Sequence, residues 1–301
     1  MELCWSAGSA CVNGLQLQWE ETGPQHGDPL LLVMGLGGQL IHWPDALCAE
    51  LVARGFRVIR FDNRDSGLSA DGDRGVDFHV ARDWLRSRFG LETRANYTLH
   101  DMATDCVALL DTLGIARTHL VGASMGGMIA QIIAGTHPQR VRSLTSIMSS
   151  TNHPKLPAAR VDVLLRMAGL GVRPRTREQV IERSVQMLRR VGSPGYHTPI
   201  EYRMRLAGRA YDRAFRPDGH ARQTHAILAT GSFEHLLPGI TAPTQVIHGL
   251  SDPLLRPACG RRSASLIRGA RLDLIPGMGH DLAPALMPRW AELIGRNAGR
   301  A

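Results

Sequence analysis

The segment Thr118-His119-Leu120-Val121-Gly122-Ala123-Ser124-Met125-Gly126 decides how this chain is read. Its first four residues form a short apolar run of the kind that builds a strand. The remainder is G-x-S-x-G, followed by helix-like text. A serine at a sharp strand-to-helix turn presents its hydroxyl as a nucleophile. The flanking glycines allow a turn that a Cβ would block. A helix starting near Met125 would aim free N–H groups and a positive dipole end at the reacting centre. Glycine and serine are common, so the pentad gains its force from what surrounds it.

On the N-terminal side, Leu15 to Glu20 alternates apolar and polar residues, as a half-buried strand does. Leu30-Leu31-Leu32-Val33-Met34 is continuously apolar, as for a strand buried on both faces of a parallel sheet, and ends in Gly35-Leu36-Gly37-Gly38. A helix is expected over 45–54, a strand over 56–61, an irregular surface excursion over 71–96, and a helix over 98–113. On the C-terminal side come a helix from Ser124 to about Gly135 and a strand over 143–148. Strand and helix alternate, which argues for a mostly parallel α/β sheet flanked by helices.

The alternation stops from about Thr151 to Leu237. Thr176-Arg177-Glu178-Gln179 is a capping box opening a helix that Gly192 stops, and two more helices fit 198–214 and 217–230. Strands resume at 244–248 and 271–275, with a last helix over 284–296. The expected organisation is therefore a core of residues 1–150 and 237–301, with a helical cap inserted at 151–236.

A serine needs a general base, itself oriented by a carboxylate. Strand 244–248 runs into Gly249-Leu250-Ser251-Asp252-Pro253, and strand 271–275 into Pro276-Gly277-Met278-Gly279-His280. Both loops fall at strand C-terminal ends, where open α/β sheets collect ligands. Ser124 is expected to be the nucleophile, His280 the base and Asp252 the acid. Asp273 is the weaker acid candidate, because it lies within its strand.

An oxyanion needs two donors. The backbone N–H of Met125 is one candidate, and that of Leu36, in the first glycine-rich loop, is the other. That loop lacks the Gly-Lys-Ser/Thr end of a Walker motif, and Leu40 stands where a dinucleotide fingerprint needs glycine, so no phosphate site is read there. Met34, Trp43 and Met278 lie close to these positions in sequence and are candidate pocket residues. Asp62, Arg64 and Ser69 are expected to hold their own loop. The other twelve histidines show no metal-type spacing, so no metal is expected.

The 301 residues carry a net charge of +8, but residues 151–240 hold 15 basic groups against 7 acidic ones, leaving the rest neutral. The arginines are spread through helical text rather than gathered in a run. This suits a solvated face better than a nucleic-acid site. No apolar stretch approaches a membrane span. The N-terminus lacks a basic, apolar leader pattern, and five scattered cysteines suit a reducing compartment, so a cytoplasmic location is expected.

Five segments together are similar to the α/β-hydrolase superfamily: Val33 to Gly38, Phe61 to Ser69, Gly122 to Gly127, His248 to Pro253 and Ile275 to Asp281. Within it the chain resembles bacterial carboxylesterase-type members near the aclacinomycin methylesterases, on its Met-Gly loop with Trp43-Pro44, its Arg-x-x-Gly-x-Ser turn and its Gly-Met-Gly-His ending. Met34 departs from the commoner His-Gly loop. The resemblance implies cofactor-free hydrolysis of a small-molecule ester. The same triad serves C–C bond, amide or thioester cleavage and perhydrolysis. A ligand receptor on the same scaffold is a third possibility, for which three intact triad residues have little use. The sequence leaves the oligomeric state open.

Overall fold

The computed structural model describes residues 3–69, 80–163 and 176–301. Eight strands form one sheet: β1 (Ser6–Val12), β2 (Leu15–Thr22), β3 (Asp28–Val33), β4 (Phe56–Phe61), β5 (Thr118–Ala123), β6 (Val141–Ile147), β7 (Thr244–Gly249) and β8 (Arg271–Ile275). Their order across the sheet is β1-β2-β4-β3-β5-β6-β7-β8. The β1–β2 and β2–β4 pairs are antiparallel and the remaining pairs are parallel.

The chain builds from β3 outward to β4, then returns to place β5 on the other side of β3. Neighbouring strands therefore send their connections to opposite sides there, which opens a crevice at their C-terminal ends. The Gly35–Gly38 loop leaves β3 at this crevice, and Ser124 leaves β5. All six residues of β5 are buried, which fits an apolar run covered on both faces.

The helices are α1 (Asp45–Val52), α2 (Val80–Arg88), α3 (Leu99–Thr112), α4 (Met125–Thr136), α5 (Arg177–Val191), α6 (Ile200–Arg213), α7 (Pro217–Thr230), α8 (Pro257–Leu266) and α9 (Met287–Ala298). Residues 125–134 of α4 are all buried, because α4 lies between the sheet and other elements. One apolar cluster joins α3 and α4 to one face of the sheet, and a second joins α1 and α9 to the other. Three layers result.

Between β6 and β7 the described elements are helical. The expected capping box is present: the Gln179 N–H donates to Thr176 Oγ1 and the Thr176 N–H to Gln179 Oε1, each at 3.3 Å, and Gly192 closes α5. Arg166, Arg173 and Arg175, counted above among the basic residues of this stretch, lie outside the described residues.

Three elements depart from expectation. Residues 80–88, read as irregular, form α2. Residues 257–266 form α8, and residues 6–12 form β1, joined to β2 through Asn13 and Gly14 at positive φ. Among the described residues, no helix is long and apolar enough to cross a membrane.

Candidate active site

The turn after β5 is shaped by what surrounds it. Ser124 has φ 55° and ψ −119°, a conformation that side-chain-bearing residues rarely adopt. Its N–H donates to Ile147 O at 2.9 Å, and its carbonyl accepts Gly127 N–H at 2.9 Å and Ser149 Oγ–H at 2.8 Å. A Cβ on Gly122 would strike the Gly126 backbone, and one on Gly126 would strike the Val33 carbonyl. Both glycines are thus required by close backbone approach. Gly35 is nearly as tight: a Cβ there would stand 3.2 Å from Ser124 Cβ.

The structure brings Ser124, His280 and Asp252 together. Ser124 Oγ lies 3.0 Å from His280 Nε2, and His280 Nδ1 lies 2.7 Å from Asp252 Oδ2. The other Asp252 oxygen accepts the Leu254 and Leu255 N–H groups at 2.9 Å each. Asp252 is only 1% exposed, so water does not compete for these bonds. The two loops are pinned to each other: Leu250 N–H donates to Ile275 O and Ser251 N–H to Met278 O, both at 3.0 Å. The strand register, Gly249 opposite Ile275, starts the loops side by side. Asp273 is instead engaged by Gln245 Nε2 at 2.9 Å, one strand inward.

In the first loop, Gly38 N–H donates to Gly35 O at 3.0 Å and Gly37 N–H to Gln223 Oε1 at 2.8 Å. Leu36, between Gly35 and Gly37, is half-buried. Met125 opens α4 directly after Ser124 and is buried.

The three expected pocket residues are all buried. Trp43 and Met278 are 0% exposed and Met34 is 4% exposed, and all three belong to the apolar cluster on the α1–α9 side of the sheet. Their side chains pack within that layer, and Met34 also lies against Gly38 of the glycine-rich loop. Proximity in sequence to a strand end does not specify which way a side chain points. Asp62 and Ser69 do hold their loop: Asp62 accepts Leu40 N–H at 2.7 Å and Leu68 N–H at 2.9 Å, and Ser69 Oγ donates to Asp62 O at 2.6 Å. Arg64 pairs with buried Asp105 at 2.5 Å.

Several neighbours carried no sequence signal. His248, in β7, lies 3.7 Å from Asp252 Oδ2, and its Nε2–H donates to Leu255 O at 2.8 Å. Burial holds its pKa below the ordinary histidine value, so it stands there as a neutral support for the Asp252 loop. The His280 loop is gripped by the stretch after α5. His280 N–H donates to Val191 O at 2.6 Å, and Gly279 N–H to Ser193 Oγ at 2.8 Å. Ser193 in turn donates through N–H and Oγ to Asp281 Oδ1 at 2.9 and 2.5 Å. Burial nonetheless raises the Asp281 pKa. Among the described residues, no group of three or more His, Cys, Asp or Glu side chains could hold a metal ion.

Residues 28–283 match the family model for the alpha/beta hydrolase fold. The chain belongs to the α/β-hydrolase family. It is 31% identical to RutD of Variovorax paradoxus (strain S110), named as a carbamate hydrolase, over 88% of this chain and 90% of that one. It is 28% identical to the rhodomycin D methylesterase DnrP of Streptomyces peucetius, over 89% and 90%. Among solved structures it is similar to the enol-lactonase from Burkholderia xenovorans LB400, with a TM-score of 0.71 and 24% identity over 96% of this chain and 97% of that one. These findings support a hydrolytic enzyme of this fold, with the likeness to methylesterases that the motifs had suggested.

Proposed function

We propose that the protein is a serine carboxylesterase acting on a small to medium ester. The observation that carries this reading is the continuous chain from Ser124 Oγ through His280 to Asp252, at 3.0 and 2.7 Å. Those spacings suit proton transfer between positioned groups.

In this reading Ser124 Oγ attacks the ester carbonyl carbon while His280 Nε2 takes its proton. Asp252 keeps the Nδ1–H tautomer and stabilises the imidazolium that forms. The oxyanion accepts from the backbone N–H groups of Leu36 and Met125. Collapse expels the alcohol, which receives the proton from His280 and leaves an acyl-Ser124 ester. Water, deprotonated by His280, then attacks that ester and releases the acid, returning the proton to Ser124. The helices between residues 151 and 236 serve as a cap over this edge.

The test is hydrolysis of p-nitrophenyl esters of graded acyl length by wild type and Ser124→Ala. Turnover that vanishes in the variant is expected, with a length optimum that sizes the pocket. Undiminished turnover in a folded Ser124→Ala protein would refute the assignment. The RutD likeness favours a second substrate class, carbamates, on the same residues. Ester and carbamate substrates assayed side by side separate the two.

A further inference from the structure

Helix α7 reaches the first glycine-rich loop by one face. Residues 219, 220 and 223 lie on neighbouring positions of one helical turn. A Cβ on Gly219 would strike the Asp65 carbonyl, and a Cβ on Gly37 would stand 2.6 Å from the His220 ring. Arg222 from the same turn donates to Asp65 at 2.9 and 2.7 Å. Gln223 lies at the centre of this contact and is 0% exposed. Its Oε1 accepts the Gly37 N–H at 2.8 Å, and its Nε2 donates to Arg64 O at 2.7 Å.

We infer that Gln223 is a positioning residue for the oxyanion site, acting from the inserted helices on the loop that carries Leu36. The inference rests on the esterase reading above. Gly37 has φ +66°, a conformation glycine adopts freely, so the loop itself does little to fix the peptide that follows Leu36. Gln223 supplies that constraint. Its amide occupies the Gly37 N–H and ties it, through the same side chain, to the Arg64 carbonyl of the loop after β4. The Gly37 and Gly38 amides are engaged and Gly35 packs against Ser124, so the peptide that carries the Leu36 N–H is confined between fixed neighbours. Donor placement matters in proportion to how sharply oxyanion stabilisation depends on geometry: losing one donor costs about 10²–10³ in rate.

The experiment measures kcat and KM on a p-nitrophenyl ester, and the inhibition constant of a trifluoromethyl ketone, which forms a tetrahedral oxyanion adduct on the serine. Wild type, Gln223→Met, Gln223→Glu and Thr230→Val are compared. Thr230 sits on the same helix, where its Oγ1 accepts the Leu99 N–H at 2.8 Å, remote from the glycine loop, and controls for general loosening of α7. Gln223→Met, which offers no oxygen to Gly37, is expected to lower kcat about 10- to 100-fold with KM within about threefold. The inhibition constant should rise in proportion. Buried Gln223→Glu is expected to protonate, donate to Arg64 O and still accept from Gly37, so its kcat should stay within about fivefold of wild type.

If Gln223→Met keeps kcat within about twofold, or Thr230→Val loses as much at the same melting temperature, the inference is overturned. Should Gln223→Met not fold, Gln223→Glu decides alone: a loss beyond about tenfold with the protein folded overturns it. Wild type without Ser124-dependent ester turnover overturns the esterase reading and this inference together. Active wild type with insensitive Gln223 variants overturns only the latter.

Discussion

Ser124 is held at φ 55° by contacts on every side, so its backbone strain does not depend on the hydroxyl. Ser124→Ala should therefore keep its melting temperature within about 2 °C while ester turnover falls by roughly three decades or more. Circular dichroism melts alongside a spectrophotometric assay check both halves. Asp252 is bonded to His280, with an oxygen 2.7 Å from Nδ1, whereas Asp273 is held by Gln245. Asp252→Asn should thus lower kcat by about 10²–10⁴. Asp273→Asn should change it less than twofold, and the reverse ranking would reassign the acid. These three residues were legible because each stands in a loop directly after an apolar strand, and loops at strand C-terminal ends converge in a parallel sheet. His248 was not legible. A histidine inside a strand carries no mark of the loop it will support, and its bond to Leu255 O exists only once Asp252 to Leu255 has folded back.

The strand carrying the nucleophile has a titratable weakness. His119, in β5, is 3% exposed, 2.8 Å from Ser143 Oγ and edge-on to Phe56. Burial depresses its pKa to about 4. The folded state thus binds a proton less readily than the unfolded chain. The stability this group contributes is present above its unfolded value of 6.5 and is lost as pH falls toward 4. Melting temperature should therefore drop on going from pH 7 to pH 5, and His119→Gln should flatten that slope. Equal slopes in the two proteins would remove His119 from the account. Element identity was legible where apolar runs were long, as in β3 and β5. It failed at β1, whose Ser-Ala-Gly-Ser-Ala composition is poor in β-branched residues. The signal available there was Asn13-Gly14, both at positive φ, as a tight hairpin turn demands. Helix α2 was missed because it is short and its text polar: Trp84, Leu85 and Phe89, in it or just after it, stay exposed, so no buried stripe marks it.

Across the molecule, the inserted helices cannot stand alone. Among the described residues, their own apolar cluster comprises Ile181, Val185 and Ala207, with Ile200 packed against it, too little to offset chain entropy. They lean on the core, where Ala226, Phe233 and Leu237 join the α3–α4 apolar cluster, and are tied to it by polar fastenings. Arg213 pairs with Asp62 at 2.6 Å, Gln39 Nε2 donates to Ala210 O and Ala214 O at 2.7 and 2.9 Å, and Ser193 bridges Gly279 and Asp281. The sequence announced helices here through the Thr176 box and Gly192, but not where they dock, because docking uses single polar side chains with no periodicity. Those fastenings reach the loops on both sides of Ser124, so loosening one should register in catalysis as well as in stability. Ser193→Ala tests this away from the reacting atoms. It removes a buried acceptor for Gly279 N–H and a donor to Asp281, costing about 2 kcal/mol. In a chain of this size that corresponds to a melting temperature lower by roughly 3 °C. The loop bearing His280 would keep two backbone bonds to this stretch, His280 N–H to Val191 O and Gly195 N–H to Gly277 O. We therefore expect kcat to fall about tenfold with KM nearly unchanged, since His280 would sample orientations away from Ser124 Oγ. A lower melting temperature with kcat intact would mean that the inserted helices brace the fold without orienting the base.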